Sequence, residues 1–131
     1  MAEGRFQAYP RDWLRKAEAD LRRVGRRLRE RDIEDAAVHL QQALEKFLKG
    51  FLLARGWSLK KTHDLEALLD EAIRHDATLD RYRPLVQAVT GYYLPARYPS
   101  LGRGPSRVEV SKAAADSVPL VRRLRLPPQA G

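Results

Sequence analysis

Apolar residues along this chain recur at steps of three and four almost throughout, and no useful stretch alternates with the period of a strand. Leu14, Ala17, Leu21, Val24 and Leu28 form one such stripe, which predicts a helix over about 11–30. Gly25 weakens that helix by roughly 1 kcal/mol without breaking it. Arg31 and Asp32 read as the turn that follows. The next helix is predicted over about 33–55 and is closed by Gly56 as a left-handed C-cap. It carries two stripes, one through Ile33, Ala37, Leu40, Leu44, Phe47 and Phe51, the other through Ala36, Ala43, Leu48 and Leu52. Two stripes mean burial on more than one side, so this is the central helix of a bundle.

Beyond the loop Trp57–Lys61, a short helix over about 64–75 buries Leu65, Leu68, Leu69, Ala72 and Ile73, with Asp64 and Glu66 in its first turn. A fourth helix begins near Arg83, with Pro84 tolerated in its first turn and Leu85, Val86, Val89 and Tyr93 on its face. Pro95–Pro105 reads as loop from its proline and glycine content. Ser106-Arg107-Val108-Glu109 has the S-x-x-E form of a capping box and opens a fifth helix, which Pro119 is expected to interrupt or kink. The fold class is all-α, in one helical domain over 1–131 with its core at about 10–125 and a frayed, flexible tail at 126–131.

Composition narrows the chemistry. A chain of 131 residues is long enough to bury a core without a metal or disulfide staple. The absence of cysteine excludes disulfides, zinc-thiolate sites and cysteine nucleophiles. Apolar runs are too short to span a bilayer, and Met1–Arg5 lacks the apolar core of a signal peptide, so the expected location is the cytoplasm, with no membrane partner. The net charge of +8 is uneven: residues 1–31 carry ten basic and five acidic side chains, 32–76 six and nine, and 77–131 nine and three. Arginine outnumbers lysine 19 to 6 and is the better bidentate partner for phosphate. That surface either attracts nucleic acid or simply solvates helix faces. No aromatic residue interleaves with Arg22, Arg23, Arg26, Arg27 and Arg29, as a stacking platform for single strands requires.

The catalytic candidates are few. His39, His63 and His75 stand at no metal-ligand spacing, and neither a nucleophile elbow nor a phosphate-binding P-loop is present, so no metal and no cofactor is expected. His39 reads as a semi-buried packing residue, or alternatively as a general acid or base. His63 reads as a residue hydrogen-bonding the free N–H groups of the third helix, with catalysis the alternative, and His75 as a surface complement to a helix dipole. Glu45, Lys46 and Lys49 form a polar stripe on an otherwise apolar helix, in which Glu45 and Lys49 are an i,i+4 pair worth roughly 0.2–0.5 kcal/mol or, alternatively, the edge of a polar pocket. Arg97, Arg103 and Arg107 gather around the capped start of the fifth helix, and Tyr92, Tyr93 and Tyr98 lie close enough in sequence to supply a stacking face. Arg97, Tyr98, Arg103 and Arg107 are accordingly the candidate nucleotide- or phosphate-binding residues, with Arg97 otherwise anchoring the loop through backbone carbonyls.

Three short runs carry a resemblance. Ala37-Val38-His39-Leu40-Gln41-Gln42-Ala43-Leu44-Glu45-Lys46-Phe47-Leu48-Lys49-Gly50 resembles the QQAxEKxxK signature of HEPN domains, Lys61-Thr62-His63-Asp64-Leu65 their K-T-H-D-L run, and Ala96-Arg97-Tyr98-Pro99 their A-R-Y-P loop. The pieces fall in the family's order. The resemblance implies an up-and-down four-helix bundle with an additional short helix, forming a homodimer and partnering a minimal nucleotidyltransferase. It is similar to the substrate-binding domain of some nucleotidyltransferases, and several members are toxin–antitoxin components. Ribonuclease members carry an Arg a few residues ahead of a His. Arg31–His39 and Arg55–His63 are each separated by seven residues, longer than that motif, which leans against enzyme activity. The leading expectation is a helical interaction protein that binds nucleotide or RNA. The alternatives are a metal-independent ribonuclease using His39 or His63, and a sequence-independent nucleic-acid binder.

Overall fold

The computed structural model describes residues 9–128. Met1–Arg5 and the last three residues of the tail therefore lie outside the described residues. Within them the chain is helical and carries no strand. Five α-helices run in order: α1 Pro10–Arg29, α2 Ile33–Leu53, α3 Leu65–Ile73, α4 Arg83–Arg97 and α5 Arg107–Arg125. Short 3-10 turns at Ala77–Tyr82 and Pro99–Leu101 flank α4.

α2 packs against each of the other four α-helices, with α1 making the most extensive contact. Both of its apolar stripes are buried, from Ala36 and Ala37 through Leu40, Ala43, Leu44, Phe47 and Leu48 to Leu52. Val24 of α1, Leu68 and Leu69 of α3, Val86 and Val89 of α4, and Leu120 and Leu124 of α5 complete the core around it. Four long helices plus the short α3 form the bundle.

The α1–α2 and α2–α3 connections both open on left-handed residues. Gly56, at φ 88°, ends α2: the N–H of Trp57 donates to the Leu52 carbonyl at 3.1 Å and that of Gly56 to Leu53 at 3.2 Å. The same pattern ends α1, where the N–H of Asp32 donates to Arg27 at 2.8 Å and that of Arg31 to Leu28 at 3.1 Å. There the left-handed residue is Arg31, at φ 63°, whose Cβ makes the conformation costly. Asp32 then caps α2 by accepting from the Asp35 N–H.

Three expectations change. α3 is shorter than 64–75 because Asp64 stands outside it as the N-cap, accepting from the Glu66 and Ala67 N–H groups at 3.0 and 3.2 Å. The loop expected from Pro95 begins only after Arg97, since α4 runs through Pro95. Likewise Pro119 does not interrupt α5. Each proline frees one carbonyl four residues earlier, at Gly91 and Ala115, and both of those residues are exposed to water. Buried Leu120, Val121 and Leu124 hold the far half of α5 in place. The capping box is as expected: Ser106 Oγ accepts from the Glu109 N–H at 3.1 Å, and the Ser106 N–H donates to Glu109 Oε1 at 2.9 Å.

α1 approaches α2 closely at Gly50. A Cβ there would lie 2.8 Å from Leu14 Cδ2, 3.0 Å from Leu14 Cγ and 3.2 Å from the Pro10 carbonyl. Gly50→Ala is therefore expected to destabilise the fold by about 1 kcal/mol, overpacking outweighing the gain in helix propensity. Arg31→Gly is expected to stabilise it by about 1 kcal/mol through relief of the left-handed strain. Urea midpoints for the two variants should move in opposite directions from that of the parent chain.

Candidate functional site

The polar residues of α2 assemble two clusters on either side of its contact with α1. The first is centred on Asp20, which lies on the α1 line through Trp13, Ala17 and Val24 and is only 1% exposed. Its carboxylate accepts from the Lys46 ammonium, from Arg23 at 3.0 Å and from His39 Nδ1 at 3.2 Å. Burial is the largest single influence on Asp20 and raises its pKa, but hydrogen bonds and charge from Lys46, with His39 and Arg23, together hold it below the ordinary carboxylate range. His39 Nε2 in turn lies 3.4 Å from Asp35 Oδ2. Both ring nitrogens of His39 thus face carboxylates.

The second cluster joins α2 to the segment before α3. Lys49 Nζ donates to Glu45 Oε2 at 2.9 Å, and both residues are buried. The i,i+4 pairing expected from spacing is present, but it is buried, so removing one partner would strand a buried charge. Lys49 also sits 5.4 Å from the Trp13 ring centroid, a cation–π contact that secures α1. Glu45 Oε1 accepts from His63 Nδ1 at 3.0 Å, while Gln41 Nε2 donates to the His63 carbonyl at 3.1 Å. A carboxylate only accepts, so Nδ1 carries the proton. His63 itself is 82% exposed and its Nε2 faces solvent, a carboxylate-oriented imidazole with one free nitrogen. The helix-capping role expected of His63 belongs to Asp64 instead.

The third group is the loop after α4. Arg97 ends α4 and lines a cleft of about 250 Å³ with Ala96, Val38 and the acidic first turn of α2, Asp32, Glu34 and Asp35. Gly104 lies over Glu34, with an added Cβ 3.8 Å from its carboxylate. Tyr98, Arg103 and Arg107 are exposed. Among the described residues, Arg97, Tyr98, Arg103 and Arg107 have no side-chain hydrogen bond or ion pair. Tyr92 turns away into the α4–α5 groove beside Lys112 and Pro119, so it does not share a face with Arg97. No group of three or more metal-ligating side chains occurs among the described residues.

The model of the HEPN domain family matches residues 10–124, a span that contains all three sequence runs and all three groups of side chains. The chain belongs to the HEPN family. Among solved structures, TT1696 from Thermus thermophilus is 30% identical, with a TM-score of 0.68 over 88% of this chain and 94% of that one. No functionally curated protein matches the chain.

Within this HEPN chain the signature residues have identifiable physical duties. Gln41, Glu45 and Lys49 hold the segment before α3, Lys46 neutralises Asp20 with a hydrogen bond from His39 beside it, and Gly50 admits α1. In the Lys61–Leu65 run, Thr62 Oγ1 accepts from the Asp64 N–H at 3.2 Å, Asp64 caps α3, and Leu65 is fully buried. Sequence reasoning misses Asp20. Its one signal is an acid in register with apolar Ala17 and Val24, three residues after one and four before the other.

Asp20→Asn is expected to destabilise the HEPN fold by about 3 kcal/mol at pH 7, since Lys46 loses its counter-charge at a buried site. The lowered pKa makes the Asp20 contribution complete above about pH 4 and lost as the pH falls further. The deficit of the variant should therefore shrink as the pH falls below about 4, measured by urea unfolding of both chains at each pH.

Proposed function

We propose that this HEPN chain is a cytoplasmic helical interaction protein that forms a homodimer, partners a minimal nucleotidyltransferase and binds nucleotide or RNA through Arg97, Tyr98, Arg103 and Arg107. The observation that carries the reading is the contrast in side-chain engagement. Many other arginines, including Arg23, Arg27, Arg83, Arg123 and Arg125, are tied to carboxylates. Those of the 97–107 loop are exposed and, among the described residues, unspent, as are Arg22, Arg26 and Arg29 of α1, but only the loop sets an exposed aromatic side chain, Tyr98, among them. Glu109 already occupies the start of α5, so an anion at this loop is recognised by guanidinium groups and Tyr98 rather than by free helix N–H groups. Exposed Leu94, Leu101 and Val108 in the same stretch give the loop apolar surface for a protein partner. No helix among the described residues is long and apolar enough to cross a membrane.

Fluorescence anisotropy with labelled nucleotides and short RNAs tests the assignment. Arg97→Ala and Arg103→Ala are each expected to weaken binding about tenfold and to lower the slope of log affinity against log salt. Unchanged affinity in both variants would remove the loop from consideration. Co-purification with the nucleotidyltransferase of the same genome tests the partner separately.

A ribonuclease reading is favoured by one observation, the Glu45-oriented His63 with its exposed second nitrogen. On the binding reading, purified protein leaves RNA intact. Cleavage that disappears in His63→Ala, with the fold retained, would transfer the assignment to catalysis.

A further inference from the structure

A second cationic recess lies at the opposite end of α2 from the 97–107 loop, about 30 Å away along a helix of this length. It has a volume of about 450 Å³, within the range of small-molecule sites. Its polar wall is Arg55, His75, Asp76 and Arg123. Its apolar wall is Phe51 with the chain segment Leu126–Pro128.

The donors there exceed what the protein uses. Arg55 lies over the Phe51 ring, 3.6 Å from its centroid, and donates to two backbone carbonyls, Phe51 at 3.0 Å and Leu126 at 3.1 Å. Among the described residues it contacts no carboxylate, and burial holds its pKa below the usual arginine value against the weaker pull of Asp76. Arg123 donates through one nitrogen to Asp76 and to Thr78 Oγ1, leaving its Nε and second terminal nitrogen unused among the described residues. His75 meets Phe51 edge-on and makes no side-chain hydrogen bond among them. Among the described residues Asp76 is the one acid lining the recess, and it already accepts from Arg123 and Thr78. Two guanidinium groups against one carboxylate leave a net positive charge facing a partly apolar hollow.

We propose that this recess binds a small phosphomonoester, its oxyanion head held by Arg55, Arg123 and His75 and its apolar body against Leu126 and the two prolines. A phosphate offers three acceptor oxygens to three donor groups, and guanidinium forks match that geometry. The Arg55–carbonyl bonds orient one fork before the ligand arrives, and Asp76 does the same for the other. This site stands apart from the loop of the proposed function in both place and composition.

Calorimetric titration of the full chain tests it with inorganic phosphate, phenyl phosphate, adenosine monophosphate, benzoate and phenol. Phenyl phosphate or adenosine monophosphate should bind at least about tenfold tighter than inorganic phosphate, and phenol should not bind. Arg55→Gln and Arg123→Gln should each weaken binding by about tenfold or more. Arg22→Ala and Arg29→Ala, on the outer face of α1 and outside both sites, should leave it within about twofold, as sites that far apart act independently, and Arg103→Ala and Arg107→Ala are titrated beside them to separate the loop. Thermal melts establish that each variant is folded, and Arg123→Gln, which spares the Arg55–Leu126 bond, decides the matter if Arg55→Gln is not. Benzoate binding as tightly as phenyl phosphate, no saturable phosphate binding, or affinity indifferent to Arg123→Gln would overturn the proposal. Loss of binding in the Arg103 and Arg107 variants alone would overturn it too, while leaving the loop reading in place.

Discussion

A carboxylate almost wholly removed from water sets the terms for the rest of this bundle. Asp20 sits in the contact between α1 and α2, where an unpaired charge would cost several kcal/mol, so the neighbouring helix must supply a cation at a fixed position. Lys46 does so from α2, with a hydrogen bond from His39 two turns away on the same side. Sliding α1 by one turn would leave Asp20 without them, and would also drive a side chain into the space that Gly50 leaves for Leu14. Charge pairing and close packing thus specify the same register. One consequence falls on chemistry: His39, held between Asp20 and Asp35, is committed to structure in a way that His63 is not.

How charge is partitioned follows from the same frame. The buried acids are balanced where they lie, Glu45 by Lys49 with a hydrogen bond from His63, and Asp20 by Lys46 and Arg23 with one from His39. Arg83 is similarly satisfied by Glu66, Asp70 and Asp80, which pins the start of α4 to α3. Such pairs leave the net charge of +8 unchanged but decide which arginines still face solvent without a partner. What remains unspent lies toward the two ends of α2 and on the outer faces of the long helices, where Arg22, Arg26 and Arg29 are exposed on α1.

Much of the fold was legible in the sequence because the periodic apolar stripes coincide with buried faces. The helix limits near Arg31, Gly56 and Ser106 were legible for a local reason: the residues that stop or start each helix act on backbone groups a few positions away. Pro95 and Pro119 misled because their cost depends on whether the carbonyl they free meets water, which is a tertiary fact. The site was read less well. Spacing showed that Glu45 and Lys49 could meet but not that the Trp57–Asp64 segment and Trp13 would cover them. His63 was singled out, yet its partner lies eighteen residues away, beyond the reach of any local pattern. Asp20 was visible only as a breach of its own stripe, and a single breach is weak evidence until the facing partners are known. The family resemblance reached these residues first, since it marks Glu45, Lys46, Lys49 and His63 without saying what they touch.

The turn at Glu30–Asp32 bears on how the chain reaches this state. It joins the two helices that share the most extensive contact in the molecule, so the largest interface is also among the most local in sequence. Closing so short a loop forfeits little chain entropy, and local contacts favour rapid folding. The α1–α2 hairpin can therefore assemble as a unit and present the remaining stripe of α2 as a template on which α3, α4 and α5 condense. Arg31, strained in its left-handed conformation, stands at the pivot of that hairpin.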